Sequence, residues 1–195
     1  MTRSGDEKGF TALEVLIATA ILLAAMSAIG GMLLQSSRIG RSQQLAANMQ
    51  SDARTSMALI LAKLRTAGWD PMSAGIPVVQ LDTDLGDDIS EIETFADLDA
   101  DGDTDGVNEQ VLIRHIEDRI EWRRQVGGSF EILAVHVTND SDGDGNPEPM
   151  FAPDSLTDPT RVVVQITTES ADPNPVTGAP MRFTLVSEVV FRKKL

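Results

Sequence analysis

Three regimes of hydrophobic patterning succeed one another along the chain. From Phe10 to Leu34 apolar residues are nearly continuous, and between Lys8 and Arg38 the one charged side chain is Glu14. Such a run is long enough to cross the roughly 30 Å hydrocarbon layer of a bilayer as a helix. Then Leu45, Met49, Ala53, Met57, Leu61 and Leu64 recur at spacings of three or four. They form an apolar stripe on one helical face, while Arg41, Gln44, Asp52, Arg54, Lys63 and Arg65 fill mostly other positions. Ala67-Gly68-Trp69-Asp70-Pro71 reads as the stop, because Gly68 can adopt the left-handed cap and Pro71 prevents resumption. One helix from about Thr11 to Ala67 would be about 85 Å long at 1.5 Å per residue, so its first half must project from any domain of this size. Gly30-Gly31 and Gly40 are either bending points or helix-packing surface in the bilayer.

Past Pro71 the period shortens to that of strands. Ile92–Phe95, Val111–Arg114, Arg119–Trp122, Ile132–Val137, Val162–Ile166 and Met181–Leu185 are candidates, most of them β-branched and bounded by Gly, Pro, Asn or Asp. Val186 to Phe191 extends the last. A helix followed by strands and turns predicts an α+β arrangement, with the stripe from Leu45 to Leu64 covering an antiparallel sheet.

Composition narrows the partners. The 195 residues carry a net charge of −14, unevenly: Asp82 to Glu148 holds 20 of the 30 acidic groups and four of the 16 basic ones. So acidic a middle excludes a nucleic-acid partner, since phosphate contacts need a basic surface. With no cysteine there is neither a disulfide nor a lipoprotein anchor. About 120 residues after Gly68 bury a modest core, and a small exported domain of that kind needs another staple, of which bound metal is one.

Glu14 is the anomaly of the apolar run, because a carboxylate within a membrane span costs about 2.5–3.5 kcal/mol, less near an end. It stands four residues after Phe10, and a cut after Gly9 would create an α-amino group on Phe10 beside it. Gly9-Phe10-Thr11-Ala12-Leu13-Glu14 at the mouth of an apolar helix closely resembles the processing site of type IV prepilins and type II secretion pseudopilins. The resemblance implies that Gly9 is the cleavage residue for a prepilin peptidase and Phe10 the methylated mature N-terminus. Glu14 is then the assembly carboxylate, pairing with the terminal amine of a neighbouring subunit. It implies the type IV pilin fold, a long N-terminal helix packed on an antiparallel sheet. The chain would divide into a leader (1–9), a transmembrane and filament-core half-helix (10–34), an amphipathic half-helix (35–70) and a globular β domain with acidic loops (71–195).

Leu64-Arg65-Thr66-Ala67-Gly68-Trp69-Asp70-Pro71 looks like the PilW group of minor pilins, which often read Leu-Arg-x-Ala-Gly-Tyr there; Trp69 replaces the usual tyrosine. Phe183 to Arg192 is similar in tone to the last strand of that group and of the J-type pseudopilins. The function implied is a minor pilin incorporated into a type IV pilus or its priming complex. Its partners would be other pilin subunits, the peptidase, the inner-membrane assembly platform and the membrane. Its place would be the bacterial inner membrane with the C-terminal domain in the periplasm, then the filament. The alternatives are a J-type type II secretion pseudopilin and a secreted or anchored calcium-binding adhesion module. An ordinary secretory signal would cut near Ala25-Met26-Ser27, yet the run continues to Leu34 and leaves Glu14 without a role. For a plain single-span anchor, Arg38 and Arg41 after the span favour a cytoplasmic C-terminal domain, but long domains translocate largely regardless of charge.

Two acidic runs carry the candidate metal chemistry. Asp97, Asp99, Asp101, Asp103 and Asp105 stand around Gly102 as in a calcium loop, with carboxylates at positions 1, 3, 5 and 9. Asn108 replaces the bidentate glutamate at position 12 and Glu109 comes one place late; flanking strands in place of helices argue against a true EF-hand. Asp140, Asp142, Asp144, Asn146 and Glu148 repeat the first part of the pattern. Both runs are read as Ca2+ ligands, against the plain alternative of solvated acidic turns. Asp82-Thr83-Asp84-Leu85-Gly86-Asp87-Asp88 lacks the glycine placement and reads as a polar loop. His115 and His136 read as partly buried structural residues, Trp69 and Trp122 as core or interface aromatics, and Arg119, Arg123 and Arg124 as a solvated strand and turn. Catalytic fingerprints for acyl transfer, phosphate binding or dinucleotide binding are missing, which points away from an enzyme.

Overall fold

The computed structural model describes residues 11–81, 91–156 and 159–191. Gly9 and Phe10, and the polar run from Asp82 to Asp88, lie outside the described residues. Helix α1 spans Ala12–Thr66, 55 residues and about 80 Å, within a residue or two of the limits that periodicity and stop signals predict. It passes through Gly30, Gly31 and Gly40 without interruption. Among the described residues it is the one helix long and apolar enough to cross a membrane, and its most apolar 18-residue stretch buries nothing. Burial begins only at Met49 and continues with Ala53, Ser56, Met57, Ile60 and Leu64. Ile60 thus takes the fully buried position expected of Leu61, which is half-buried, as is Leu45.

The helix ends where the chain turns back. Gly68 adopts φ +75°, its N–H donates to Phe95 O at 2.7 Å, and an added Cβ would stand 2.9 Å from Val78 Cγ2. Glycine is therefore required for two reasons at once, left-handed backbone and close approach. Trp69, expected to be a core or interface aromatic, is 57% exposed and outside the core.

Among the described residues eight strands follow, in two antiparallel sheets where one was expected. β1 (Val79–Leu81), β2 (Glu91–Phe95), β3 (Gln110–Ile116), β4 (Arg119–Arg123) and β5 (Glu131–Val135) form a meander in sequence order. β6 (Phe151–Pro153), β7 (Arg161–Glu169) and β8 (Arg182–Val190) form the second sheet. The division falls at His136, where φ of +58° ends the strand expected to run to Val137. Its carbonyl accepts Glu169 N–H at 2.8 Å, and Val137, fully buried, bridges Thr168 of β7. One residue thus carries the chain from the first sheet to the second. His136 is exposed, whereas half-buried His115 reaches Val137 O through Nε2 at 2.8 Å.

β8 lies along α1. At its start Met181 Sδ is 3.9 Å from Ser42 Oγ, and at its end Val190 lines a cleft with Arg65, Thr66, Gly68 and Trp69. Twenty-five helical residues at 1.5 Å and about ten strand residues at 3.3 Å both span about 35 Å, so the two elements run the same course. Between α1 and the sheets, Met57, Ile60 and Leu64 meet Ile92, Ile113, Ile120, Val162, Val164, Ile166 and Phe151 in one core.

Arg119, Arg123 and Arg124, expected on a solvated strand and turn, are partly exposed and paired with carboxylates, Arg119 along its own strand and the others across the first sheet. Arg123 meets Glu93 at 3.4 Å, Arg124 meets Glu131 at 2.7 Å, and Glu121 accepts from Arg114 at 2.9 Å and Arg119 at 2.7 Å. Bonds from these two guanidinium groups hold the Glu121 carboxyl below its usual range. Its contribution is therefore present above the ordinary glutamate range and is lost as pH falls through the depressed value. Glu121→Gln should cost about 1.5 kcal/mol at pH 7, reading as a lower Tm, and the gap to the parent should narrow as pH falls below the ordinary glutamate range. An unchanged gap across that range would assign the loss to packing.

Candidate functional site

Three places bring the sequence-predicted residues together. The first is the start of α1. Thr11 is the N-cap, with extended backbone, and its hydroxyl accepts the Glu14 N–H at 3.3 Å. Glu14 Oε2 in return accepts the Thr11 N–H at 2.9 Å and its hydroxyl at 3.1 Å. This reciprocal box satisfies two helix-end donors and places the negative charge at the positive end of the helix dipole. Glu14 therefore has partners within its own chain. Both bonds go to Oε2; among the described residues no hydrogen bond to Oε1 is present.

The second place is the turn between β2 and β3. It is stitched to the end of α1, for Asp97 N–H donates to Trp69 O at 2.7 Å and Lys63 Nζ to Asn108 Oδ1 at 2.9 Å. Asp97 is fully buried and accepts from Asp101 N–H at 3.2 Å on one oxygen and Gly102 N–H at 3.1 Å on the other. Asp101 accepts the Asp103 N–H and Asp103 the Asp105 N–H, each two residues on, so the chain winds around its own carboxylates. Glu109, buried and one place late for the calcium-loop pattern, closes the turn by accepting from Leu98, Asp99 and Gly106 N–H.

Ligand-capable oxygens of Asp97, Asp99 and Asp101 lie within 4.8 Å of one another, as do those of Asp101, Asp103 and Asp105. Partial desolvation and then the charges of Asp101 and Glu109 push Asp99 up, and Asp103 above all pushes Asp105 up. Each oxygen of Asp97 keeps a lone pair beyond its bond to the backbone. Convergent hard oxygens without nitrogen or sulfur donors fit calcium, which takes six to eight of them.

The third place is the turn from Asp140 to Glu148, at the other end of the head. Arg182, next to Met181, meets Asp140 at 3.5 Å and Glu169 at 2.6 Å. Asp140 accepts from Gly143 N–H at 2.6 Å and Gly145 N–H at 3.0 Å, repeating the role of Asp97. Asp140, Asp142 and Asp144 converge within 4.8 Å. Asn146 instead donates through its backbone and side chain to Asp144, which lowers the Asp144 pKa. Glu148 accepts from Ser141 N–H at 2.8 Å, Ser141 Oγ at 2.5 Å and Gln165 Nε2 at 3.2 Å, and so closes its turn as Glu109 closes the other. Buried Asn139, bonded to Glu148 O and Thr167 N–H, anchors the turn on β7.

Compared with protein-family models, with curated proteins and with solved structures, the chain finds no match.

Proposed function

We propose that this chain is a pilin-like subunit: a membrane-anchored α+β head that is cut after Gly9 and packed through α1 into a type IV pilus or its priming complex, in the manner of a PilW-like minor pilin. One observation carries the reading. α1 is a single 55-residue helix whose distal half packs on the head and whose proximal half is wholly exposed and apolar, with Glu14 its one charge. An exposed face of that extent needs hydrocarbon around it, first lipid and then neighbouring helices. The type IV pilin fold is the architecture this helix-on-sheet arrangement resembles. On this reading Glu14 Oε1 receives the terminal ammonium of a neighbouring Phe10, and the head stands in the periplasm before assembly.

Calcium belongs to the proposal as a rigidifier of the head. Asp97, Asp99, Asp101, Asp103 and Asp105 would hold one ion and Asp140, Asp142 and Asp144 a second. The affinity would be of the weak extracellular kind.

Mass spectrometry of the chain recovered from membranes tests the processing step. The expected N-terminus is N-methylated Phe10; a start near Ala28 would establish an ordinary signal peptide, and an intact Met1 would overturn the reading.

A further inference from the structure

We infer that the turn between β7 and β8, Ala171–Pro180, rests on the bilayer surface and sets the height of the head above it. This rests on the reading of the first half of α1 as a membrane span. Two contacts fix the direction in which the turn points. β8 ends beside Arg65 to Trp69 and starts beside Ser42, so the chain preceding Met181 continues toward the apolar half of α1. Ser170 and Met181 close the base of the turn, with Ser170 N–H donating to Met181 O at 2.8 Å and Met181 N–H to Ser170 Oγ at 2.9 Å.

The turn is compact. Asn174 N–H donates to Ala179 O at 2.9 Å, Gly178 N–H to Asn174 O at 2.7 Å and Val176 N–H to Asn174 Oδ1 at 2.8 Å. Three extended residues would reach about 10 Å beyond Met181, an upper bound for a turn that folds back, and the eight helical residues from Ser42 back to Leu34 cover about 12 Å. The tip therefore stands alongside the exposed arginines Arg38 and Arg41, just short of the end of the apolar run. Its composition suits that level. Val176 is 53% exposed, Pro173, Ala179 and Pro180 are exposed and Pro175 is half-buried, so the turn presents apolar surface to its surroundings. Asp172 is its one charge, and Asp142 and Asp144 lie at the same end of the head, so the matching surface is zwitterionic phospholipid.

The absence of cysteine makes the test direct. Full-length chain carrying Val176→Cys or Ala179→Cys is labelled with an environment-sensitive fluorophore and reconstituted in phosphatidylcholine vesicles that contain headgroup-level or deep spin-labelled lipid. Val126→Cys serves as the distant control: neighbouring Gln125 bonds Asp105 O, which places it at the far end of the head. Leu22→Cys reports on the span. The expected result is a blue shift and headgroup-level quenching at positions 176 and 179 but not at 126, with deep quenching at 22. Quenching at 176 and 179 no greater than at 126, while 22 is quenched, would overturn the docking proposal alone. Failure to quench at 22 would overturn the membrane span and the docking with it.

Discussion

Glu14→Gln should yield a chain that is still cut after Gly9 and still held in the membrane, yet is depleted from assembled filaments by about a hundredfold to a few thousandfold. Stranding one member of an ion pair in a dry environment costs about 3–5 kcal/mol, and each 1.4 kcal/mol is tenfold. Glutamine is the informative replacement because its amide oxygen can keep the bonds that Glu14 Oε2 accepts from the Thr11 N–H and hydroxyl. The cap then survives while the charge is lost. Glu14→Ala removes both, adding about 1 kcal/mol of helix fraying. If incorporation follows charge, Gln and Ala fail alike, as immunoblots of sheared filaments and membranes would show. Wild-type incorporation of Glu14→Gln would reduce the residue to a helix cap and remove the ion pair from the proposal.

How much of this was legible in the sequence differs from element to element. The limits of α1 were, because apolar periodicity stops at a glycine followed by a proline. The buried face was legible only to within a residue. Met49, Ala53, Met57, Ile60 and Leu64 follow steps of four, four, three and four, whereas Leu61 requires a third successive step of four, which overruns a period of 3.6. With Ile60 and Leu61 both apolar, local pattern does not choose between them. Thr11-Ala12-Leu13-Glu14 spells a capping box openly, a signal that the oddity of an acid in an apolar run overshadows. β1 and β6 have three residues each, too few for alternation to show. Two sheets instead of one follow from a positive φ at His136; histidine is enriched in that conformation, but the conformation is uncommon even for histidine, so the residue alone does not announce it. The aspartate spacings of both turns were legible, but the side chains that hold the turns were not. Glu109 and Asn139 act through backbone groups brought near by folding, and nothing in their own surroundings marks them.

Asp97→Asn should remove the share of the head's calcium response that comes from the turn between β2 and β3, leaving that of Asp140, Asp142 and Asp144 and a folded head, and Asp97→Ala should also destabilise it without metal. Buried Asp97 is the hub of its turn, accepting one backbone N–H on each oxygen while facing Asp99 and Asp101. Removing the whole carboxylate strands two donors, at a cost of about 2 kcal/mol. Asparagine keeps one acceptor and the volume but withdraws the charge, so it isolates the metal contribution. For sites of the extracellular kind, about 10 mM calcium should stabilise the parent by about 1.4–2.7 kcal/mol, a rise in Tm of about 5–10 °C over the chelated protein. Asp103→Ala should lose part of that rise, because Asp103 is exposed and accepts only the Asp105 N–H. In the chelated protein the sign with pH is opposite to that of Glu121. Asp99 and Asp105 are held above the ordinary aspartate range, so they favour the fold at low pH and weaken it as they ionise. Calcium should therefore stabilise more at pH 7 than near pH 4. Identical melts of the parent with calcium and with chelator at pH 7 would remove the metal from the proposal. The cost of Asp97→Ala would then stand as that of a buried turn-former alone.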